Sequence, residues 1–158
     1  MAEVELLRTP RQLVTFRVGE TTYGLDIDAI SEILPLLPVT KIGGAPRGIL
    51  GMVELRKRVV PVFDLHWKFG IPRPDDERGA RLILVEVAEG PVALLVDEVH
   101  EVLTIPREAY QPVHTPGDTD ALAYLCGAAR IETGFVLWVD HHHLVPFGVV
   151  KKAVKKAA

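Results

Sequence analysis

The chain repeats itself, and this internal duplication limits its possible folds more than any other feature. Residues 13–34 (LVTFRVGETTYGLDIDAISEIL) lie over residues 82–103 (LILVEVAEGPVALLVDEVHEVL) without a gap, at an offset of 69. Val14, Phe16, Val18, Tyr23, Leu25 and Ile27 fall on Ile83, Val85, Val87, Val92, Leu94 and Val96. Both stretches then run into D-x-[IV]-x-E-[IV]-L, Asp28 to Leu34 and Asp97 to Leu103. A second pair of blocks, Gly51–Asp64 (GMVELRKRVVPVFD) and Gly127–Asp140 (GAARIETGFVLWVD), aligns at an offset of 76. The change of offset requires a longer connection in the second unit. The Pro-, Gly- and Asp-rich stretch 112–120 (PVHTPGDTD) is its natural place. Any two amphipathic hairpins share a period, but here the charged positions repeat as well as the apolar ones.

Within the first unit, apolar and polar residues alternate along 14–18 and 23–27, the period of a half-buried strand. Gly19-Glu20-Thr21-Thr22 supplies the hairpin connection. Asp28 is expected to cap a short helix in which Ile30, Ile33 and Leu34 share a face and which Pro35 stops. Residues 50–55 and 58–63 read as two further Val-rich strands. The second unit repeats the scheme near 82–87, 91–96, 124–131 and 134–139, with Val99–Val102 left open between strand and helix. Many short strands with Gly and Pro turns, arranged twice, predict a mainly all-β protein of two small barrels with short helices. Units of this size are marginal alone, so the two should bury a shared hydrophobic core. The expected barrels span roughly 13–70 and 82–146, joined through 71–80 (IPRPDDERGA), with strand exchange between them left open. Residues 148–158 form a basic C-terminal helix or tail, frayed in solvent or facing an acidic partner or membrane surface.

Composition removes several functional classes. A net charge of −3 and sparse aromatic residues give no case for nucleic acid. Neither a signal-peptide pattern nor a membrane-length apolar run is present, which predicts a cytoplasmic protein. The single cysteine, Cys126, allows no internal disulfide and reads as a packing residue. The run His141-His142-His143 lacks a completing ligand pattern, because adjacent side chains diverge, so no metal and no cofactor is expected. Ser31 stands outside any nucleophile elbow, and Gly43-Gly44 is not continued as a P-loop. Asp64 and Asp140 end matching strands, which favours capping over catalysis.

Four blocks resemble the CheW-like chemotaxis adaptor family over about 12–147: VTFRVGETTYGLDIDAISEIL, PRGILGMVELRKRVVPVFDL, VALLVDEVHEVL and CGAARIETGFVLWVD. The resemblance implies one domain of two five-stranded SH3-like barrels and a non-enzymatic role. It also implies two partners, the cytoplasmic tip of chemoreceptors and the regulatory domain of a CheA-type histidine kinase. By the same resemblance the chain is a monomer in isolation, ring-forming within receptor arrays beneath the inner membrane, and meets the membrane only through receptors. A regulatory or decoy module of a non-flagellar kinase pathway, such as one serving type IV pili, is the alternative. A small-molecule barrel with an acidic site at Asp97, Glu98 and Glu101 is a further one. The family's N-L-R-G stands here as Glu54-Leu55-Arg56-Lys57, so a lysine occupies a position where glycine takes positive φ freely.

Candidate contact residues follow. Arg56 offers a bidentate fork to a partner carboxylate, and its repeat mate is Glu132, so the position serves no shared structural need. Pairing with Glu54 is the competing reading. Glu32 resembles a family position tied to coupling, whereas its mate Glu101 argues for a structural role in both barrels. Ile30 and Ile33, with Val96 and Val99, either line an apolar groove for a receptor hairpin or belong to the core.

Overall fold

A computed structural model describes residues 11–112 and 123–157. Strands β1 (Arg11–Val18) and β2 (Thr21–Asp26) form a hairpin and lead through a 3-10 turn (Ile27–Ala29) into β3 (Ile30–Pro35). Strands β4 (Ile49–Leu55) and β5 (Arg58–Asp64) precede a short helix α1 (Leu65–Phe69). The second repeat supplies β6 (Arg81–Val87), β7 (Gly90–Val96), β8 (Glu98–Ile105), β9 (Tyr110–Gln111), β10 (Leu125–Ile131) and β11 (Gly134–Val139). Helices α2 (His141–Leu144) and α3 (Val149–Ala157) end the chain. No helix among the described residues is long and apolar enough to cross a membrane. The connection assigned to 112–120 lies, beyond Pro112, outside the described residues.

The sheets do not follow the segments 13–70 and 82–146. One runs β8-β1-β2-β11-β10-β9 and the other β3-β6-β7-β5-β4, so each sheet joins a hairpin of one repeat to strands of the other. Instead of two five-stranded sheets there are one of six and one of five, the extra strand being the two-residue β9. The repeat survives as a pseudo-two-fold: β1 pairs with β8 as β6 pairs with β3, and β2 runs parallel to β11 as β7 runs parallel to β5.

Exchange explains the core. Phe16, Val18, Tyr23 and Leu25 from one sheet meet Phe63, Ile83, Val85, Val92, Leu94 and Val96 from the other in a single buried cluster. Each sheet keeps a smaller cluster behind it, Val53, Val60, Val62, Leu82, Ala93 and Leu95 on one side and Leu13, Ile105, Ala129, Val136 and Trp138 on the other. The central strand β7 is buried on both faces, Val92, Leu94 and Val96 toward the shared core and Ala93 and Leu95 toward the other. That is why residues 92–96 read VALLV without a polar residue. Each fully buried Leu, Ile or Phe contributes roughly 1.5–3 kcal/mol.

The expected helix after Asp28 is corrected. Asp26, not Asp28, caps the turn, accepting the Asp28 N–H at 3.0 Å, and Ile30–Pro35, with Ser31, continue as β3 against β6. The apolar spacing of this six-residue segment satisfies both the helical and the strand period, and the free ladder of β6 decides for strand. Residues Glu98–Ile105 are likewise extended, as β8. Asp64 and Asp140 act as caps, accepting the N–H groups of His66 and His142 at 2.9 and 3.0 Å. Helix α3 is docked, with Val150 and Ala153 buried in the shared core, and so is not a frayed solvated tail. Cys126 is half-buried against the Leu13–Trp138 cluster.

Candidate docking surface

Arg56 and Lys57 form the two-residue turn between β4 and β5, and both take positive φ, 50° and 67°. This is the twisted turn that matches adjoining strands, normally made with Gly or Asn. The left-handed geometry is therefore adopted by Lys57, and Arg56 is aimed outward from the tip. Its guanidinium donates to Glu32 Oε1 at 2.7 Å, not to Glu54, and the arginine side chain stays 69% exposed. Strand β3 lies at the edge of its sheet, and Ile33, the residue after Glu32, is 41% exposed. The structure thus brings Arg56 and Glu32 together, while Ile33 projects from the opposite face of β3. An exposed ion pair of this kind stabilises the fold by only about 0–1 kcal/mol, so its groups remain available to another carboxylate or cation.

The other candidates divide differently. Ile30 and Val99 are half-buried against the shared core, and Val96 is 0% exposed within it. Val96 is corrected to a core residue, because a side chain without accessible surface cannot meet a partner. Six exposed apolar residues within the described part of the chain were not among the candidates: Val59, Trp67, Val102, Phe135, Phe147 and Val154. Val102 on edge strand β8 is the repeat mate of Ile33 and is 49% exposed, and Phe135 on β11 is the mate of Val59 on β5. The offsets of 69 and 76 that define the repeat carry this signal, since the mate of an exposed residue occupies the equivalent place. Glu101 is exposed, and Thr15 Oγ1 donates to its backbone oxygen at 2.7 Å.

A buried ionic junction also went unforeseen. His66 is 2% exposed, its Nδ1 lies 3.0 Å from Asp64 Oδ1, and its Nε2 lies 2.6 Å from Asp97 Oδ1. Asp97 Oδ2 accepts the Gly19 N–H at 2.7 Å and lies 3.8 Å from Arg17. One cluster therefore ties the β1–β2 turn of one sheet to β5 and β7 of the other. With Asp97 committed there and Glu98 and Glu101 exposed, the acidic small-molecule site is not assembled. The histidine run is mostly exposed: His143 Nδ1 lies 2.6 Å from Asp140, while the rings of His141 and His142 lie tilted against each other with centres 4.0 Å apart. Among the described residues no group of three His, Cys, Asp or Glu side chains is arranged to hold a metal.

Two exchanged sheets that show charged and apolar side chains on edge strands and hairpin tips define a protein-docking scaffold. The sequence profile of the CheW-like domain matches residues 12–147. "Chemotaxis protein CheW" of Treponema pallidum is 28% identical over 137 residues, covering 84% of this chain and 81% of its own length. The Rhizobium meliloti protein of the same name is 29% identical, covering 86% and 88%. The crystal structure of the scaffolding protein TtCheW from Thermoanaerobacter tengcongensis superposes with a TM-score of 0.78 at 32% identity, covering 89% of this chain and 96% of that one. The chain belongs to the CheW-like domain family, whose members are chemotaxis scaffolds and adaptors.

Proposed function

We propose that this protein is a non-enzymatic adaptor that couples the cytoplasmic tip of chemoreceptors to the regulatory domain of a CheA-type histidine kinase. It works as a monomer in the cytoplasm until it joins a receptor array, where it takes a place in a ring beneath the membrane. Signalling then consists of holding kinase and receptor in register. The observation that carries this reading is the exposed Arg56–Glu32 pair at the tip of the β4–β5 hairpin, an ion pair that the fold itself does not need. A receptor hairpin that carries an acidic residue would exchange Glu32 for its own carboxylate at Arg56.

The test is reconstitution of receptor, kinase and adaptor from one organism. Arg56→Ala should leave unfolding within about 0.5 kcal/mol of the parent, as exposed substitutions do. Receptor-stimulated kinase activity should fall by about tenfold, the effect of losing one good charged contact. Unchanged stimulation with a folded variant would remove Arg56 from the contact. Failure of the parent chain to recover either partner from lysate would remove the coupling role.

A further inference from the structure

We infer that helix α3 and the loop 41–47 form a second docking site, a groove for an acidic amphipathic segment of a partner protein. Five arginines are engaged at home: Arg11, Arg17, Arg56, Arg73 and Arg78 each sit in an ion pair. Lys41, Arg47, Lys151, Lys152, Lys155 and Lys156 enter none of the ion pairs found among the described residues. Helix α3 carries no acidic residue at all. Its lysines are spaced i, i+4 as Lys151–Lys155 and Lys152–Lys156, an arrangement in which like charges oppose helix formation. Six cations are thus held on one side of a chain whose net charge is −3.

Five of these six cations, all but Lys151, line two recesses that share Lys156. Gly44, Pro46, Arg47, Lys152, Lys155 and Lys156 line a space of about 760 Å³, with no carboxylate among them. A second recess, about 380 Å³, shares Lys156 with the first and is lined by the apolar Ile42, Met52 and Val59 together with Thr40, Lys41 and Glu54. Val59 is 55% exposed there, on a strand that is buried from Val60 onward. The groove is therefore cationic at one end and mainly apolar at the other, with Glu54 the one carboxylate in its lining.

That combination selects the occupant. Carboxylates of a peptide would meet Arg47 and the lysines, and a leucine or similar anchor would enter the apolar recess. An anionic membrane has less to insert, because Val150 and Ala153 are buried in the core, which leaves Val154 on the helix and Phe147 before it as the exposed apolar residues there. A free polyphosphate would leave the apolar end uncovered. The site is separate from the Arg56–Glu32 pair and does not depend on the coupling role proposed above.

The experiment is a fluorescence-anisotropy titration of the full chain with a labelled peptide of about four helical turns, Leu on one face and Glu on the other. Binding is expected to weaken with rising salt, and by at least about tenfold on replacing the Glu residues with Gln. Two variants on different elements, Lys152→Glu/Lys155→Glu/Lys156→Glu on the helix and Arg47→Glu on the loop, should each weaken it by about tenfold or more. All four positions lie outside the core, and circular dichroism verifies that each variant is folded. Arg56→Ala should leave the peptide affinity within about twofold, separating this site from the other. Undiminished binding by both folded charge-reversal variants would overturn the inference. Binding of phosphatidylglycerol vesicles or tripolyphosphate as tight as that of the peptide would overturn it too.

Discussion

The two repeats finish their last strand with the same pattern, Asp64-Leu65-His66 and Asp140-His141-His142, and then treat it in opposite ways. In the first, His66 is sealed between Asp64 and Asp97, and Gly19 and Arg17 complete the ring of partners. In the second, the pseudo-two-fold places Asp28 where Asp97 would be and Glu86 where Arg17 would be. The result is an open pocket of about 470 Å³, in which Asp28 and Glu86 share the wall with His141 and His142. A carboxylate takes the place of the guanidinium that faces Asp97 in the closed junction, and the one arginine in the pocket wall, Arg11, is paired with Asp26. The same topology thus yields an ionic lock at one end and a solvated mouth at the other. One sign of charge in a strand, Arg17 against Glu86, accompanies the difference.

The largest expected effect breaks the comparison directly. His66→Ala leaves two buried carboxylates without their shared partner and should cost about 3–5 kcal/mol in urea unfolding. His142→Ala, at the equivalent place in solvent, should cost within about 0.5 kcal/mol. Equal losses would mean the two junctions are energetically alike despite their burial.

A smaller effect sharpens the comparison at the opposite ends of the same strands. Among the described residues only Arg56 and Lys57 combine a side chain with positive φ, whereas the matching turn Glu132-Thr133 has neither residue there. Lys57→Gly should therefore stabilise the protein by about 1 kcal/mol. Thr133→Gly should give no gain, because that turn has no left-handed residue to relieve. A shift of the same sign in both would show that strain is not what separates the turns.

The smallest effect is a pH dependence at the open pocket. Burial, reinforced by the neighbouring His142, pushes the His141 imidazole below its ordinary value, against the opposing pull of Asp140, Glu86 and Asp26. The folded state therefore prefers the neutral ring, and unfolding takes up a proton once the pH drops below the ordinary histidine value of about 6.5. Stability from this ring is complete above that value and lost as the pH falls through the depressed folded one. His141→Gln should flatten the acid side of a stability profile. An unchanged slope would assign that side to the carboxylates.

Much of this was legible in the chain. The offsets of 69 and 76 located nearly every strand and paired every repeat mate, and the position of Asp64 and Asp140 at strand ends marked both caps. Three features were not. Ile30–Pro35 fits a helix and a strand equally well by spacing, and only the vacant edge of β6 settles it. Val96 looks like its half-exposed neighbour Val99 in sequence, yet the residue's face is set by β7 running through the middle of its sheet. His66 gave no signal, because its partner Asp97 stands 31 residues away in the bend between β7 and β8, whose neighbours the sequence does not specify.

The sequence by itself determined the duplicated β pattern, the turns and caps, and the alternation that gives each strand an apolar face, because these depend on residues within a few positions of one another. Only the tertiary structure decided that the hairpins are exchanged, that one junction is locked while its twin is open, and that Arg56 meets Glu32. A strand's period says which side chains seek burial and nothing about which strand will cover them. That choice belongs to backbone ladders and a shared core assembled from both halves of the chain at once.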